Sequence, residues 1–560
     1  MTKHILFLIE AFFLLLFTAK NVNSHPIATV EPRTEGLYNT NDHVVILNNT
    51  NFDSNVYNSN TSWLIEFYSQ WCGHCQRFAP TWKVFGKNVK DLNSIVRIGV
   101  VDTSNPVNTD ISINITAVPT FMFYPVNANP NDTPLELDPE RDVASLQKIL
   151  LDTLEIEKRK GRGKLWPNFI PYSESDLQTM WQTIEGSVNY IVLIHESPES
   201  IVGTSLILNF PKNSKLHFGR VVTNTESLII NFHQRNGSPI SSITINNSTI
   251  DNIEELIKDK LNSLGLSIEM TIKTEDSKLE DLSNNKSITK IPQLSHQYGD
   301  FVFQLDLEKA LRYSIDQEIP KSFTIDGDKM VALKNYLNIL LDYFPTQTNG
   351  KIYLRNLVDL VKNQTSISGR RFHNVSLELQ NSLSPIYSEE DKWIGCQGST
   401  DIHRGYPCGL WTMFHLLTVN YANKNINEQG HDPALALRAI YGYVKYFFSC
   451  EECSENFLEM AEKDKIFEVK DVNESILWLW RAHNDVNRRL AGDITEDPEH
   501  KKIQYPSINE CPECRDVHNN WIDEDVVLYL KNKYSSSKVN FVIFPNLICN
   551  GKHCLYQTSS

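Results

Sequence analysis

The sequence predicts a multidomain chain, α/β through its first half and all-α through most of its second. Three observations carry this expectation. A length of 560 residues exceeds what one core accommodates, so several domains are required. Between residues 32 and 272, apolar runs of strand length alternate with stretches of helical spacing. Over residues 304–379 and 391–492 the apolar spacing is helical, clearest at 330–343 and 352–360.

The first 24 residues read as a secretory signal. Lys3 and His4 precede an apolar stretch over residues 5–19, and Val22 and Ser24 are small residues at a plausible cleavage site. That stretch contains Glu10 and falls short of the ~20 apolar residues that span a bilayer, so cleavage is expected instead of anchoring. No later segment could span a membrane; the apolar tail at 539–549 is short and broken by Pro545. Sequons at Asn48, Asn60, Asn114, Asn131, Asn246, Asn363, Asn374 and Asn473 suit a glycosylated protein, secreted or in the Golgi or ER lumen. In such an oxidising compartment disulfides are the default state of cysteine. A net charge of −15 argues against nucleic acid or an anionic membrane as partner.

The domain reading follows the patterning. Residues 30–157 read strand, redox turn, helix, strand, helix: strands at 63–68, 95–101 and 121–124, and a helix at 143–154. The basic, Gly-containing stretch 158–164 is the best linker candidate and the expected hinge. Residues 165–272 alternate again, with strands expected at 189–195, 206–210 and 228–232 and a helix at 253–264. This block has no cysteine and can do no thiol chemistry. A polar stretch at 273–290 opens a helix-rich region over 273–388; a helical, aromatic domain follows at 391–506, then a tail at 507–560.

Ten cysteines fall into five close pairs, and none lies between Cys75 and Cys396. The first pair sits in Trp71-Cys72-Gly73-His74-Cys75, directly after an apolar strand. A CxxC that opens a helix places its first sulfur where the helix N-terminus favours a thiolate, so Cys72 is the attacking sulfur and Cys75 the resolving one. Glu66 lies six residues earlier, where a buried acid can shuttle the Cys75 proton. Pro80 should kink the following helix, and Pro119 is a candidate cis proline. These features resemble the thioredoxin fold, and the Trp-Cys-Gly-His-Cys motif resembles the catalytic domains of protein disulfide isomerases.

The second active pair is Cys450 and Cys453, which share a helix face with Tyr446. Trp411 and His415 are i and i+4, and Trp480, His483, Asn484 and Asn487 step by 3, 1 and 3. An aromatic stripe alone is usually core. Interleaved His and Asn demand a partner inside that core, and a flat, polar-edged ring system satisfies them, with Arg404 and Lys502 placed to pair with phosphates. Here the sequence resembles the flavin-binding Erv/ALR sulfhydryl oxidases, and the whole chain resembles the quiescin sulfhydryl oxidase family. That implies two thioredoxin-like folds, a helix-rich region and a four-helix-bundle flavin-binding domain, with FAD as cofactor. By matched position it implies flavin contacts from Arg404, Trp411, His415, Glu452, Asn456, Trp480, Arg481, Ala482, His483, Asn484, Asp485, Val486, Asn487, Lys502 and Tyr505. Asn456 stands where the family usually has histidine, and Tyr505 where it has tryptophan.

Cys396 and Cys408 flank the first helix of that domain and suit a structural bridge. Cys511 and Cys514 form a third CxxC, which the resemblance assigns to an auxiliary disulfide; Cys549 and Cys554 should close a small tail loop. A zinc site from Cys450, Cys453, Cys511 and Cys514 has suitable ligands but a 57-residue gap, against ~15–20 in a typical ribbon, and no metal is expected. The resemblance implies a relay from reduced protein substrates to Cys72/Cys75, to Cys450/Cys453, to FAD and to molecular oxygen, in a monomer whose sites meet by domain movement. A disulfide isomerase with a structural C-terminal module, or a non-enzymatic secreted binding protein, are the alternatives.

Overall fold

The computed structural model describes residues 36–111, 115–210, 213–224, 227–235, 239–246, 248–266, 301–387, 393–426, 430–540, 547–550 and 553–556. The signal segment, Asn114 and the polar boundary at 273–290 lie outside the described residues.

The first sheet contains β1 (Val45–Leu47), β2 (Ser62–Tyr68), β3 (Val96–Asp102), β4 (Thr120–Tyr124) and β5 (Leu135–Leu137), in the order β1-β3-β2-β4-β5. β2 runs parallel to β3 and antiparallel to β4. All seven residues of β2 are buried, which is why it reads as one apolar run: a central strand covered on both faces has no solvent side to alternate with. Helix α1 (Gly73–Val89) starts where β2 ends, contains Pro80, and packs beside α2 (Val143–Arg159). The Val118–Pro119 peptide is cis, as the sequence suggested.

Helix α3 (Glu174–Thr183) leads into a second sheet of β6 (Tyr190–Glu196), β7 (Leu216–Val222), β8 (Leu228–Gln234) and β9 (Pro239–Ile245). Its order, β7-β6-β8-β9, and its strand directions repeat those of β3-β2-β4-β5. One expectation is corrected here. Residues 206–209 belong to helix α4 (Val202–Asn209), which Phe210 caps, and not to a strand. A short apolar run does not distinguish a buried helix turn from a buried strand. Helix α5 (Ile250–Ser263) closes this domain.

The expected hinge at 158–164 is also corrected. Lys158 Nζ donates to the carbonyls of Gly163 (2.8 Å) and Trp166 (3.0 Å), and buried Glu157 pairs with Lys160 and Arg162. Buried Arg220 of the second domain bonds Glu155 on α2 at 2.8 Å and Glu196 at 2.8 Å. Trp166 and Phe169 enter a core shared by both domains. Basic composition suggested a loose linker; the buried Glu157 turns those charges into partners, and the two α/β domains form one packed piece.

The helical half comprises α6 (Gln304–Tyr313), α7 (Gly327–Tyr343), α8 (Thr348–Lys362), α9 (Gly369–Leu383), α10 (Gly405–Asn425), α11 (Leu435–Phe447), α12 (Glu451–Lys463), α13 (Val472–Leu490) and α14 (Asp523–Tyr534). Helices α10–α13 pack as a four-helix bundle with α14 against α10 and α13. A single hydrophobic core runs from Val302 to Val539 through both the helix-rich region and the bundle. Tyr336 on α7 stacks on Tyr443 of α11 at 4.4 Å, and β-residues Val302 and Val539 pair in parallel. Cys396–Cys408 and Cys511–Cys514 are bonded. Two tail strands pair with Cys549 opposite Cys554; the side chains that would form the expected tail bridge lie outside the described residues. Among the described residues, no helix is long and apolar enough to cross a membrane.

Candidate active site

Cys72 occupies the N-cap of α1 in extended conformation, and Cys75 lies one turn in, fully buried. Both are free thiols. Burial pushes the Cys75 thiol well up, and its hydrogen bond with Cys72 and the nearby charges of Cys72 and Glu66 push the same way. Glu66, enclosed on β2, is itself raised to about 8 because burial outweighs the Tyr38 hydrogen bond and the Arg141 charge. An acid and a thiol, both reluctant to ionise, thus sit in electrostatic reach of each other, which suits proton exchange between them. Burial pulls the His74 ring down from its ordinary value against the opposing pull of Glu452.

Cys450 is the N-cap of α12 and is bonded to Cys453. Its Sγ lies 2.9 Å from Cys72 Sγ, across 378 residues of chain. A reduced pair therefore faces an oxidised one. The Val118 N–H donates to the Ser449 carbonyl at 2.8 Å, making a parallel bridge between Val118 and Cys450. Trp71 stacks on Phe448 (5.2 Å, 21°), meets Tyr406 edge-on, and donates its Nε1–H to the Tyr313 hydroxyl at 2.8 Å. Buried Glu318 accepts the Ser449 N–H at 2.7 Å, and Lys321 donates to the Ser449 hydroxyl at 2.8 Å. Cys72 and Cys450 are both 0% exposed, so in this arrangement neither sulfur is open to a substrate.

Glu452 belongs to this seam. It pairs with Arg77, lies 3.8 Å from His74, and is 3.9 Å from Arg489, while Arg77 also reaches Asp493 at 3.5 Å. Arg77 and Glu452 are 28% and 33% exposed, so solvent screening limits their attraction to about 1 kcal/mol. Arg77→Ala is expected to slow turnover on reduced protein only ~5-fold and to weaken its salt dependence, read as oxygen uptake at two ionic strengths. A loss beyond ~100-fold would mean that this ion pair does more than dock.

The rings expected around the flavin do converge. Trp411 and His483 stack at 4.3 Å and 6°, His415 bonds His483 at 3.0 Å, and Tyr534 stacks on His415 at 4.9 Å. Burial, then the Lys533 charge, push His415 down to about 3, and burial lowers His483 too, so this pair is neutral at pH 7. Arg404 begins α10 at φ +59°, a conformation that a non-glycine residue holds only under constraint. Its Nη2 donates to the Gly395 carbonyl, while its Nε and the His415 Nδ1 are buried with no hydrogen-bond partner among the described residues. Burial, then the Arg404 charge, pull the Lys502 ammonium down. Two enclosed cations that oppose each other, beside a stacked ring wall with an orphaned ring nitrogen, fit an anionic group carrying a flat ring.

Other predicted contacts have partners elsewhere. Asn484 exchanges two hydrogen bonds with the backbone of Tyr505 (2.8 and 2.7 Å), and Trp480 Nε1 donates to the Tyr505 carbonyl at 2.6 Å. These residues shape the loop that carries Lys502, and the Tyr505 hydroxyl bonds Tyr529 at 2.9 Å. Asn456 Nδ2 donates to the Glu452 carbonyl. Arg481 and Asp485 lie on the outer face of α13, paired with Asp523 and Arg488. Ala482, Asn484 and Asn487 are buried and Val486 is partly so. Two surface clefts share only Arg481 and Ala482 with these residues and touch neither dithiol. Tyr313, Tyr406, Phe448, Glu318, Lys321 and Tyr534 carried no signal in the sequence, because each acquires its role only from a distant segment.

Fold and site together define a dithiol relay oxidoreductase: a thioredoxin-type thiol pair facing the disulfide of a flavin-binding helical bundle. Family models agree, with "Thioredoxin" matching residues 43–149, "Flavin adenine dinucleotide (FAD)-dependent sulfhydryl oxidase" 300–399, and "Erv1 / Alr family" 408–506. Sulfhydryl oxidase 1 of Cavia porcellus is 29% identical over 90% of this chain and 82% of its own. Sulfhydryl oxidase 2 of Mus musculus is 28% identical over 91% of this chain and 75% of its own. The solved "Sulfhydryl Oxidase Fragment of Human QSOX1" is 33% identical over 43% of this chain and 99% of its own, with a TM-score of 0.40. Over 90% of its length the chain is similar to the sulfhydryl oxidases.

Proposed function

We propose that the chain is a flavin-dependent thiol oxidase that introduces disulfides into reduced proteins of the secretory pathway. The observation that carries this reading is the 2.9 Å approach of the Cys72 thiol to the Cys450–Cys453 disulfide. A substrate thiolate attacks Cys72 of the oxidised first pair, and Cys75 leaves, taking its proton from Glu66. The second substrate thiol then displaces Cys72 and the substrate departs with its disulfide. In the docked arrangement Cys72 attacks Cys450, Cys453 leaves, and Cys75, its proton taken back by Glu66, resolves the Cys72–Cys450 bond. Arg404 and Lys502 would hold the FAD phosphates, and Trp411, His415, His483 and Asn487 would wall and edge its ring. When bound, FAD would supply the two-electron acceptor that lets the Cys450–Cys453 bond re-form, with dioxygen as the final acceptor and hydrogen peroxide as its product.

Both pairs meet within one chain, so a monomer suffices. Exposure of Asn60, Asn131, Asn246, Asn363 and Asn374 supports glycosylation and secretion or residence in the Golgi or ER lumen. Purified protein should show flavin absorption bands and yield one peroxide per dithiothreitol oxidised. Colourless protein that makes no peroxide would overturn the oxidase reading, and retained disulfide shuffling would then favour an isomerase.

A further inference from the structure

We propose that the Trp71 face beside Val118 is a substrate subsite that selects reduced proteins carrying an aromatic residue two positions before the reactive cysteine. This deepens the thiol-oxidase reading and rests on it. The segment Phe448-Ser449-Cys450 lies on this surface as an extended peptide would, with ψ 108° at Phe448 and φ −73°, ψ 96° at Cys450. Cys450 offers its sulfur to Cys72, the Ser449 carbonyl takes the Val118 N–H, and the Phe448 ring covers Trp71.

A substrate faces the same constraints. Its sulfur must reach Cys72, because that is where exchange occurs. The Val118 N–H, enclosed once a chain covers it, needs a backbone acceptor, and the carbonyl just before the substrate cysteine is the group within reach. In extended chain, residues i and i−2 share a face. A peptide held by those two contacts therefore lays its −2 side chain where Phe448 lies, on the Trp71 ring. The ring partners of Trp71, namely Tyr313, Tyr406 and Phe448, all belong to the helical half, so parting the halves frees an indole face for the substrate. Substrate and Phe448 occupy the subsite in turn. The substrate thiolate bonds Cys72 as the Cys72–Cys75 bond breaks, and the second substrate thiol then displaces Cys72. Two electrons and two protons pass to the pair.

The holoenzyme would be compared on the reduced peptides Phe-Ser-Cys-Gly-Gly-Cys and Ala-Ser-Cys-Gly-Gly-Cys by oxygen uptake. Stacking of an aromatic pair predicts kcat/KM ~3- to 10-fold higher for the Phe peptide. Trp71→Ala should bring that ratio to about one whatever its effect on total rate, and Trp71→Phe should retain a preference, as expected of a stacking site. Equal kcat/KM for the two peptides in the parent enzyme, with dithiothreitol turnover intact, overturns the subsite and leaves the oxidase reading standing. A preference that survives Trp71→Ala places selection elsewhere and also overturns it. Failure to oxidise dithiothreitol at all removes the oxidase reading, and the subsite with it.

Discussion

A variant carrying Cys75→Ser and Cys453→Ser is expected to lock shut through a covalent Cys72–Cys450 bond under mild oxidation. The two sulfurs are already 2.9 Å apart and need only close to the ~2.05 Å of a disulfide. The Val118–Ser449 hydrogen bond and the seat of Trp71 against Phe448 hold the flanking backbone, so the reaction is effectively intramolecular. With both resolving sulfurs gone the bond has no escape, and turnover should fall at least ~1,000-fold. Non-reducing peptide mapping would show the Cys72 and Cys450 peptides joined. The companion variant with Cys75→Ser and Cys450→Ser should not cross-link, because Cys450 is the sulfur that meets Cys72. Cross-linking in the companion, or none in the first variant, would reverse the assignment of Cys450 as the receiving sulfur.

Glu66→Gln is expected to stabilise the protein at alkaline pH while slowing thiol exchange. Burial lifts the Glu66 carboxyl from 4.5 to about 8 in the folded chain. Across that window the unfolded chain has lost a proton that the folded chain keeps. The unfolded state binds fewer protons, so the Glu66 contribution makes stability fall as pH rises through the window and remain lower above it. Glutamine has the same shape and no charge, so it removes a penalty on the order of a few kcal/mol above about pH 9 and changes little near pH 5. Urea unfolding at those two values measures the difference. The kinetic effect has the opposite sense. Cys75 loses its proton acceptor, and transfer from Cys72/Cys75 to Cys450–Cys453 should slow ~100-fold in stopped-flow mixing. An unchanged rate would mean that Cys75 sheds its proton directly to water.

Much of the chemistry was legible locally. The strand leading into Cys72, the helix it caps, and the spacing of Trp480, His483 and Asn484 all depend on neighbours within a few residues. Legibility failed where a residue's partner lies far away. The amide of Asn484, expected as a flavin contact, also grips the Tyr505 backbone, 21 residues on, which its spacing does not reveal. Arg481 sits next to Trp480 in sequence, but one step rotates it by about 100° to the outer face, where it meets Asp523. Glu452 lies inside the CxxC and read as a flavin-side acid; its charge is turned to Arg77 in the other half. The basic run at 158–164 read as a hinge because composition does not reveal the buried Glu157 that organises it.

The sequence by itself determined that this protein carries two dithiols of unequal character, one at a strand-to-helix turn and one among helices spaced to grip a flavin. Those properties follow from periodicity and residue chemistry over a turn or two. Only the tertiary structure decided which sulfurs meet, what seats Trp71, and that the two α/β domains share one core. Such facts join segments up to 378 residues apart, and they are set by shape and burial between folded surfaces, which no local spacing records.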